Sequence, residues 1–298
     1  VATASQSWAK KIFAGWSWRR SAGVPPERDR CSASTSTPKF AAPVALRMDD
    51  VGAASKRHEV YGITRLRWGG LRVPFPDNFL FLKYLPPIKR WGPYRELGAG
   101  DWEAVLERLE LAGSRMTVGV TAGWVEADGS IVPYPLKFPE ASRALRSGVE
   151  RGLIEVANHG YTHCVLQGGR FRPRLFSGNR GDHREFYEWL PDAVHREHLR
   201  ISQEILQDFL GRAVLTLVPP GNVLSQKTLS AAGECGIRIV SCLGARRWAP
   251  FPGLTLLDDA RVRAFHDRDV VRGGVAWLER LLAGAPAGGY ATVREAAA

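Results

Sequence analysis

The sequence predicts an α/β fold built on a parallel sheet or barrel. Three observations carry that expectation. Short apolar runs recur from Pro43 onward, amphipathic stretches separate them, and a polar cluster stands where each of several runs ends. Parallel strands are covered on both faces, so they read as nearly continuous apolar runs, as residues 44–48, 116–120 and 153–157 do. Folds of this class place their chemistry at the carboxyl ends of strands.

The elements follow in order. Residues 44–48 form the first strand and end in Asp49-Asp50. A long insertion, 51–100, carries aromatic and proline clusters that include Trp68, Trp91 and Tyr94. An insertion of that length carries function or small structure of its own. Asp101 is expected to cap a helix running to about 112, with Trp102, Val105, Leu106 and Leu109 on one face. Residues 116–120 are the second strand, and 140–152 a helix closed by Gly152. After the strand at 153–157 comes a second insertion, 165–189, rich in Gly and Arg. Pro191 opens a long helix to Phe209, closed by Gly211. Residues 214–218 are a strand leading into Pro219-Pro220-Gly221-Asn222, and Ser225 caps the next helix. Strands at 237–242, 254–257 and 262–265 and a helix at 275–282 complete the chain.

With 298 residues and 45% hydrophobic content, the chain is long enough to bury a sizeable core. The organisation expected is a domain over 43–298, with insertions at about 51–100 and 165–189, behind a basic, mobile extension over 1–40. That extension holds seven basic and two acidic residues of a chain whose net charge is +11. No nucleic-acid motif or basic–aromatic strip accompanies the charge, so no nucleic-acid partner is expected. No run reaches the roughly 18–20 apolar residues of a membrane helix. No secretory h-region is evident, and the compartment stays open between cytoplasm and cell envelope. Cys31, Cys164, Cys235 and Cys242 show no paired spacing and read as buried thiols, with Cys164 a packing residue beside His163.

The chemistry concentrates at strand ends. His159 and His163 follow the strand at 153–157, four residues apart, a spacing that lets two imidazoles share one face of a helical turn and one metal ion. Asp49-Asp50 ends another strand and supplies the carboxylate that a zinc-type site needs. His266 follows the strand at 262–265 and is placed to reach the same mouth.

Arg47-Met48-Asp49-Asp50, His159-Gly160-Tyr161-Thr162-His163, Val218-Pro219-Pro220-Gly221 and Phe265-His266 resemble, in that order, the polysaccharide deacetylases of carbohydrate esterase family 4. The closest likeness is to a divergent bacterial branch with Asp-Asp-Val and Pro-Pro-x-Asn motifs. The resemblance implies a distorted (β/α) barrel of about seven strands that removes N-acetyl groups from glycans with a divalent metal. Carried over, it makes Asp50, His159 and His163 the metal ligands, for Zn2+ first and for Fe2+, Co2+ or Ni2+ as well. Asp49 is then the base and His266 the acid, with Pro220, Asn222, Trp68, Trp91 and Tyr94 toward the sugar. Two positions depart from the family pattern. Val218 stands where the family has a base-orienting arginine, for which Arg47 is the substitute on offer. Ala245-Arg246-Arg247-Trp248 lacks the aspartate that orients the acid histidine, leaving Asp267 or Asp269 for that task. These departures keep two alternatives open: a glycan-binding protein that has lost turnover, and a hydrolase of another amide or ester.

Overall fold

Seven parallel strands form the central sheet in a computed structural model that describes residues 42–57, 65–74, 95–174 and 182–298. Residues 1–40, Trp91 and Tyr94 lie outside the described residues. The strands are β1 (Ala45–Val51), the hairpin β2 (Arg65–Trp68) and β3 (Leu71–Pro74), then β4 (Met116–Val120). A second hairpin, β5 (Gly123–Val125) and β6 (Ile131–Pro133), precedes β7 (Ile154–Asn158). The small pair β8 (Leu166–Gln167) and β9 (Arg170–Phe171) belongs to the second insertion. Then come β10 (Thr216–Leu217), β11 (Ile239–Ser241), β12 (Thr255–Leu257) and β13 (Val262–His266). The order across the sheet is β12-β11-β10-β7-β4-β1-β13. Every residue of β1 and β4 is buried, as the unbroken apolar runs require.

The helices are α1 (Ala99–Leu111), α2 (Tyr134–Lys137), α3 (Pro139–Glu150), α4 (Asp192–Leu210), α5 (Gln226–Glu234), α6 (Asp267–Gly273), α7 (Val275–Leu282) and α8 (Val293–Ala297). The predicted face of α1 is buried at Trp102, Val105, Leu106 and Leu109, in one cluster with Leu145 and Val149 of α3 and Met116, Val118 and Val120 of β4. Asp101 differs from expectation. Gly98 is the N-cap, and Asp101 sits three residues inside, where its carboxylate accepts the Gly98 N–H at 2.8 Å. Ser225 caps α5 as expected, accepting the Thr228 N–H. Among the described residues no helix is long and apolar enough to cross a membrane.

The sheet curls into a half-barrel. Arg47 on β1 donates to the carbonyl and hydroxyl oxygens of Ser241 on β11, four strands away in the sheet order, so the two strands face each other across the lumen. The amino ends of the strands are closed by the C-terminal segment. Leu46 and Ala291 pair at 2.9 Å, Val293 N–H reaches the Thr117 hydroxyl, and Val293 and Ala296 pack with Ala45, Ile239 and Leu257. The carboxyl ends stay clear of that plug, and the polar motifs collect there.

Candidate metal centre

β1 carries two neighbouring carboxylates to the same end of the half-barrel, which a regular strand does not do, because successive side chains alternate. The sequence predicts a strand over residues 44–48 that ends in Asp49-Asp50. Instead it runs on to Val51 with one extra residue: Met48 pairs with Val118 and Val51 with Val120. Asp50 sits in this bulge with φ 73°, a left-handed conformation that Asp tolerates better than most residues. The bulge re-aims Asp50 so that both acids face the mouth.

The two histidines also meet without a helix. Residues 159–163 form a loop, with Gly160 at φ 82° and His163 at φ 67°. Their Nε2 atoms lie 3.3 and 3.1 Å from the same oxygen, Asp50 Oδ1. All three side chains are buried. His159 Nδ1 is 2.7 Å from the Val218 carbonyl oxygen, which can only accept, so His159 carries a proton on Nδ1. His163 Nδ1 meets the Ser55 hydroxyl at 2.7 Å. Both outer nitrogens are thus engaged, and both Nε2 atoms face a carboxylate.

Electrostatics makes that convergence informative. Burial opposes ionisation of Asp50, but hydrogen bonding to His159 and His163 leads the opposing effects and holds its pKa well below the usual carboxylate range. Burial, helped by Arg184, pushes the His163 pKa down, which favours the neutral ring. With its proton on Nδ1, a neutral His159 ring would turn its Nε2 lone pair toward the Asp50 carboxylate, an arrangement that a cation between them relieves. Accordingly, His163 Nε2 is buried and makes no hydrogen bond even with Asp50 so close. The separations also approach the ~3.3 Å edge of a tetrahedron with ~2.0–2.1 Å bonds. The donor set therefore fits a divalent metal, with second contacts on each imidazole of the kind that fix ligand orientation.

Asp49 is held separately. Arg47 grips it with two parallel bonds, Nε to Oδ1 and Nη2 to Oδ2, both 2.9 Å, in a buried pair. Arg47 thus fixes the orientation of the Asp49 carboxylate. His266, the last residue of β13, is 41% exposed at its side chain, with Nε2 4.0 Å from Asp50 Oδ2. Of the two candidates to orient it, Asp267 is excluded: it is fully buried and paired with Lys56. Asp269 accepts the His266 backbone N–H at 3.0 Å, and its carboxylate is 3.9 Å from Nδ1, beyond hydrogen-bond range. Arg268 reaches Asp50 Oδ2 at 3.6 Å.

The remaining candidates scatter. Pro220 is buried against the Gly160 turn, and Asn222 Oδ1 accepts the Leu243 N–H at 2.9 Å, tying the ends of β10 and β11 together. Trp68 ends β2, paired with Leu71. Cys164 Sγ is 3.6 Å from His163 Nδ1, on the side of the ring away from Asp50. Three contributors went unread in the sequence: Ser55, the Val218 carbonyl and Glu185. The last is buried and accepts N–H bonds from Tyr161, Thr162 and His163. One of three acids in a Gly/Arg-rich insertion, beside Asp182 and Glu188, it carries no signal of such a role.

The polysaccharide deacetylase family pattern matches residues 92–240, half of the chain, including both histidines and the Val218–Asn222 turn. The chain belongs to the polysaccharide deacetylase family. Asp49, Asp50 and His266 lie outside the matched span and join the site through β1 and β13. Comparison with curated proteins finds no match. Among solved structures, a carbohydrate esterase family 4 pseudoenzyme from Bacillus anthracis is similar at 13% identity and a TM-score of 0.47, over 87% of this chain and 66% of that one. The chain therefore spans slightly under two thirds of that protein's length. A deacetylase domain from Bordetella bronchiseptica is similar at 16% identity and TM-score 0.44, over 78% and 99%. A family 4 carbohydrate esterase from Streptomyces lividans, in complex with acetate, is similar at 15% and 0.42, over 84% and 97%. The family assignment rests on the sequence match.

Proposed function

We propose that this deacetylase-family chain is a divalent-metal-dependent hydrolase that removes N-acetyl groups from a glycan. The observation that carries the reading is the convergence of Asp50, His159 and His163, with both Nδ1 atoms engaged elsewhere. Asp50, His159 and His163 would hold a zinc-type ion, which would supply Lewis acidity to the acetyl carbonyl and lower the pKa of water. Fe2+, Co2+ and Ni2+ suit the same donors. Asp49, oriented by the Arg47 fork, would be the group that accepts a proton at a carboxylate oxygen. His266 delivers a proton from Nε2 to the amine nitrogen as the C–N bond breaks, releasing acetate and a free amino sugar. The glycan is the substrate class that the family implies. Trp68, Trp91 and Tyr94 are proposed as sugar-stacking residues, and Pro220 and Asn222 as further substrate-binding residues. Residues 43–298 are proposed as the catalytic domain and 1–40 as a basic extension.

The test is amine release from chitooligosaccharides and bacterial surface glycans, with and without chelator. Chelation is expected to abolish release, and Asp49→Asn to lower kcat ~10²–10⁴-fold with metal content unchanged. Metal-loaded wild-type protein that hydrolyses no acetylated sugar while still binding the glycan would replace this reading with that of a binding protein.

A further inference from the structure

Glu185 lies in the second insertion, outside the family's metal and proton-transfer set. Its Oε2 accepts the N–H groups of Tyr161 and His163 at 3.0 and 3.2 Å, and its Oε1 accepts the N–H and hydroxyl of Thr162, both at 3.0 Å. His198 on α4 adds a fifth contact, Nδ1 to Oε1 at 2.5 Å. One carboxylate, 1% exposed, thereby gathers every backbone donor from Tyr161 to His163. The loop is built around it: a Cβ on Gly160 would stand 2.0 Å from Oε2.

The loop conformation is not one the sequence would choose alone. His163 is left-handed, and three successive amides point inward to a single centre. Without an acceptor there, three buried N–H groups would each carry a desolvation penalty of ~1–3 kcal/mol. The neutral amide of Gln cannot reproduce the acceptor set, since one of its two positions donates.

We propose that Glu185 is a positioning residue of the metal centre: clamped by His198, its carboxylate holds residues 160–163 in the conformation that brings both imidazole Nε2 atoms to Asp50. The proposal rests on the metal reading above for its effect on affinity, but not for its effect on the loop.

Two readouts on the full chain decide it. Co2+ is titrated into metal-free protein and followed by its visible absorption, and amide hydrogen exchange is measured without metal. Glu185→Gln is expected to weaken Co2+ binding ~10–100-fold and alter the visible band, the usual cost of losing an outer partner of a ligand. It should also speed exchange at Tyr161, Thr162 and His163 at least ~10-fold, leaving the sheet amides protected. His198→Ala should shift both readouts less, under ~10-fold, and serves if Glu185→Gln does not fold. Wild-type affinity and spectrum in Glu185→Gln would overturn the proposal, as would loss of protection spread across the sheet. Should wild-type protein take up no Co2+, the metal reading fails alone. Exchange then decides for Glu185: local loss supports the clamp, and unchanged protection overturns it.

Discussion

Asp50 and His163 are left-handed non-glycine residues, each held at a backbone cost on the order of 1 kcal/mol. Both are metal-ligand candidates, so the distortion buys the inward aim of side chains that regular backbone would turn away. Asn shares Asp's tolerance of this conformation. Asp50→Asn should therefore keep the bulge and most of the stability while losing retained metal, read by elemental analysis beside urea unfolding. Full metal retention in that variant would remove Asp50 from the ligand set. Gly160→Ala attacks geometry instead, because its Cβ has nowhere to go beside Glu185 and its φ of 82° excludes ordinary side chains. A loss of about 1–3 kcal/mol in urea unfolding of metal-free protein is expected. Asp49, Asp50, His159, His163 and His266 were legible because each follows an apolar run. Ser55, Val218 and Glu185 were not, because their parts are set by contacts across 22 to 108 residues of chain that no local pattern encodes.

The elements themselves read well where burial is uniform and poorly where it is not. β1, β4 and β7 are continuous apolar runs, and α1, α3 and α4 have single apolar faces, so sequence and structure agree to within a few residues. The β5–β6 hairpin went unread although Asp128-Gly129 marks its turn, because Ile131–Pro133 is only partly buried and ends in a proline rather than forming a longer apolar run. Spacing alone places the two His on one face of a helical turn; the fold reaches the same convergence with a loop anchored to α4 through Glu185 and His198. That anchor titrates. Burial opposes protonation of His198, but the Glu185 charge and hydrogen bond outweigh it and raise the His198 pKa above 6.5. A raised folded-state pKa stabilises fully below the unfolded value and is lost as pH rises through the folded one. Unfolding free energy of metal-free protein should accordingly fall, by an amount on the order of 1 kcal/mol, as pH climbs from ~6.5 through the His198 transition. His198→Gln should flatten that part of the profile; an unchanged slope would show that the anchor contributes no pH dependence.

At the scale of the whole molecule, an open seven-stranded sheet needs ties between segments that never pair. Arg47 supplies one across the lumen and the C-terminal segment another beneath it. The third is ionic and buried. Lys56, in the turn of helix Ala54–Arg57 after β1, meets Glu96 at 2.6 Å and also pairs with Asp267 at the start of α6. Burial opposes the charge on Lys56, but Asp267 and Glu96 more than offset it and hold its pKa well above the ordinary value. The same short turn carries Ser55, which engages His163, and α6 follows directly on His266. One ammonium group therefore fixes the relative placement of the Ser55 hydroxyl beside His163 and of the proposed acid His266. Lys56→Met keeps the stem's volume and removes the charge, leaving two buried carboxylates without their cation. The expected loss is ~3–5 kcal/mol of unfolding free energy. Adding Asp267→Asn to Lys56→Met should recover part of it, because the penalty lies in the stranded charge more than in the lost contact. A single variant within ~0.5 kcal/mol of wild type, or a double variant no better than the single, would mean that packing rather than this ion cluster joins the first strand to the last.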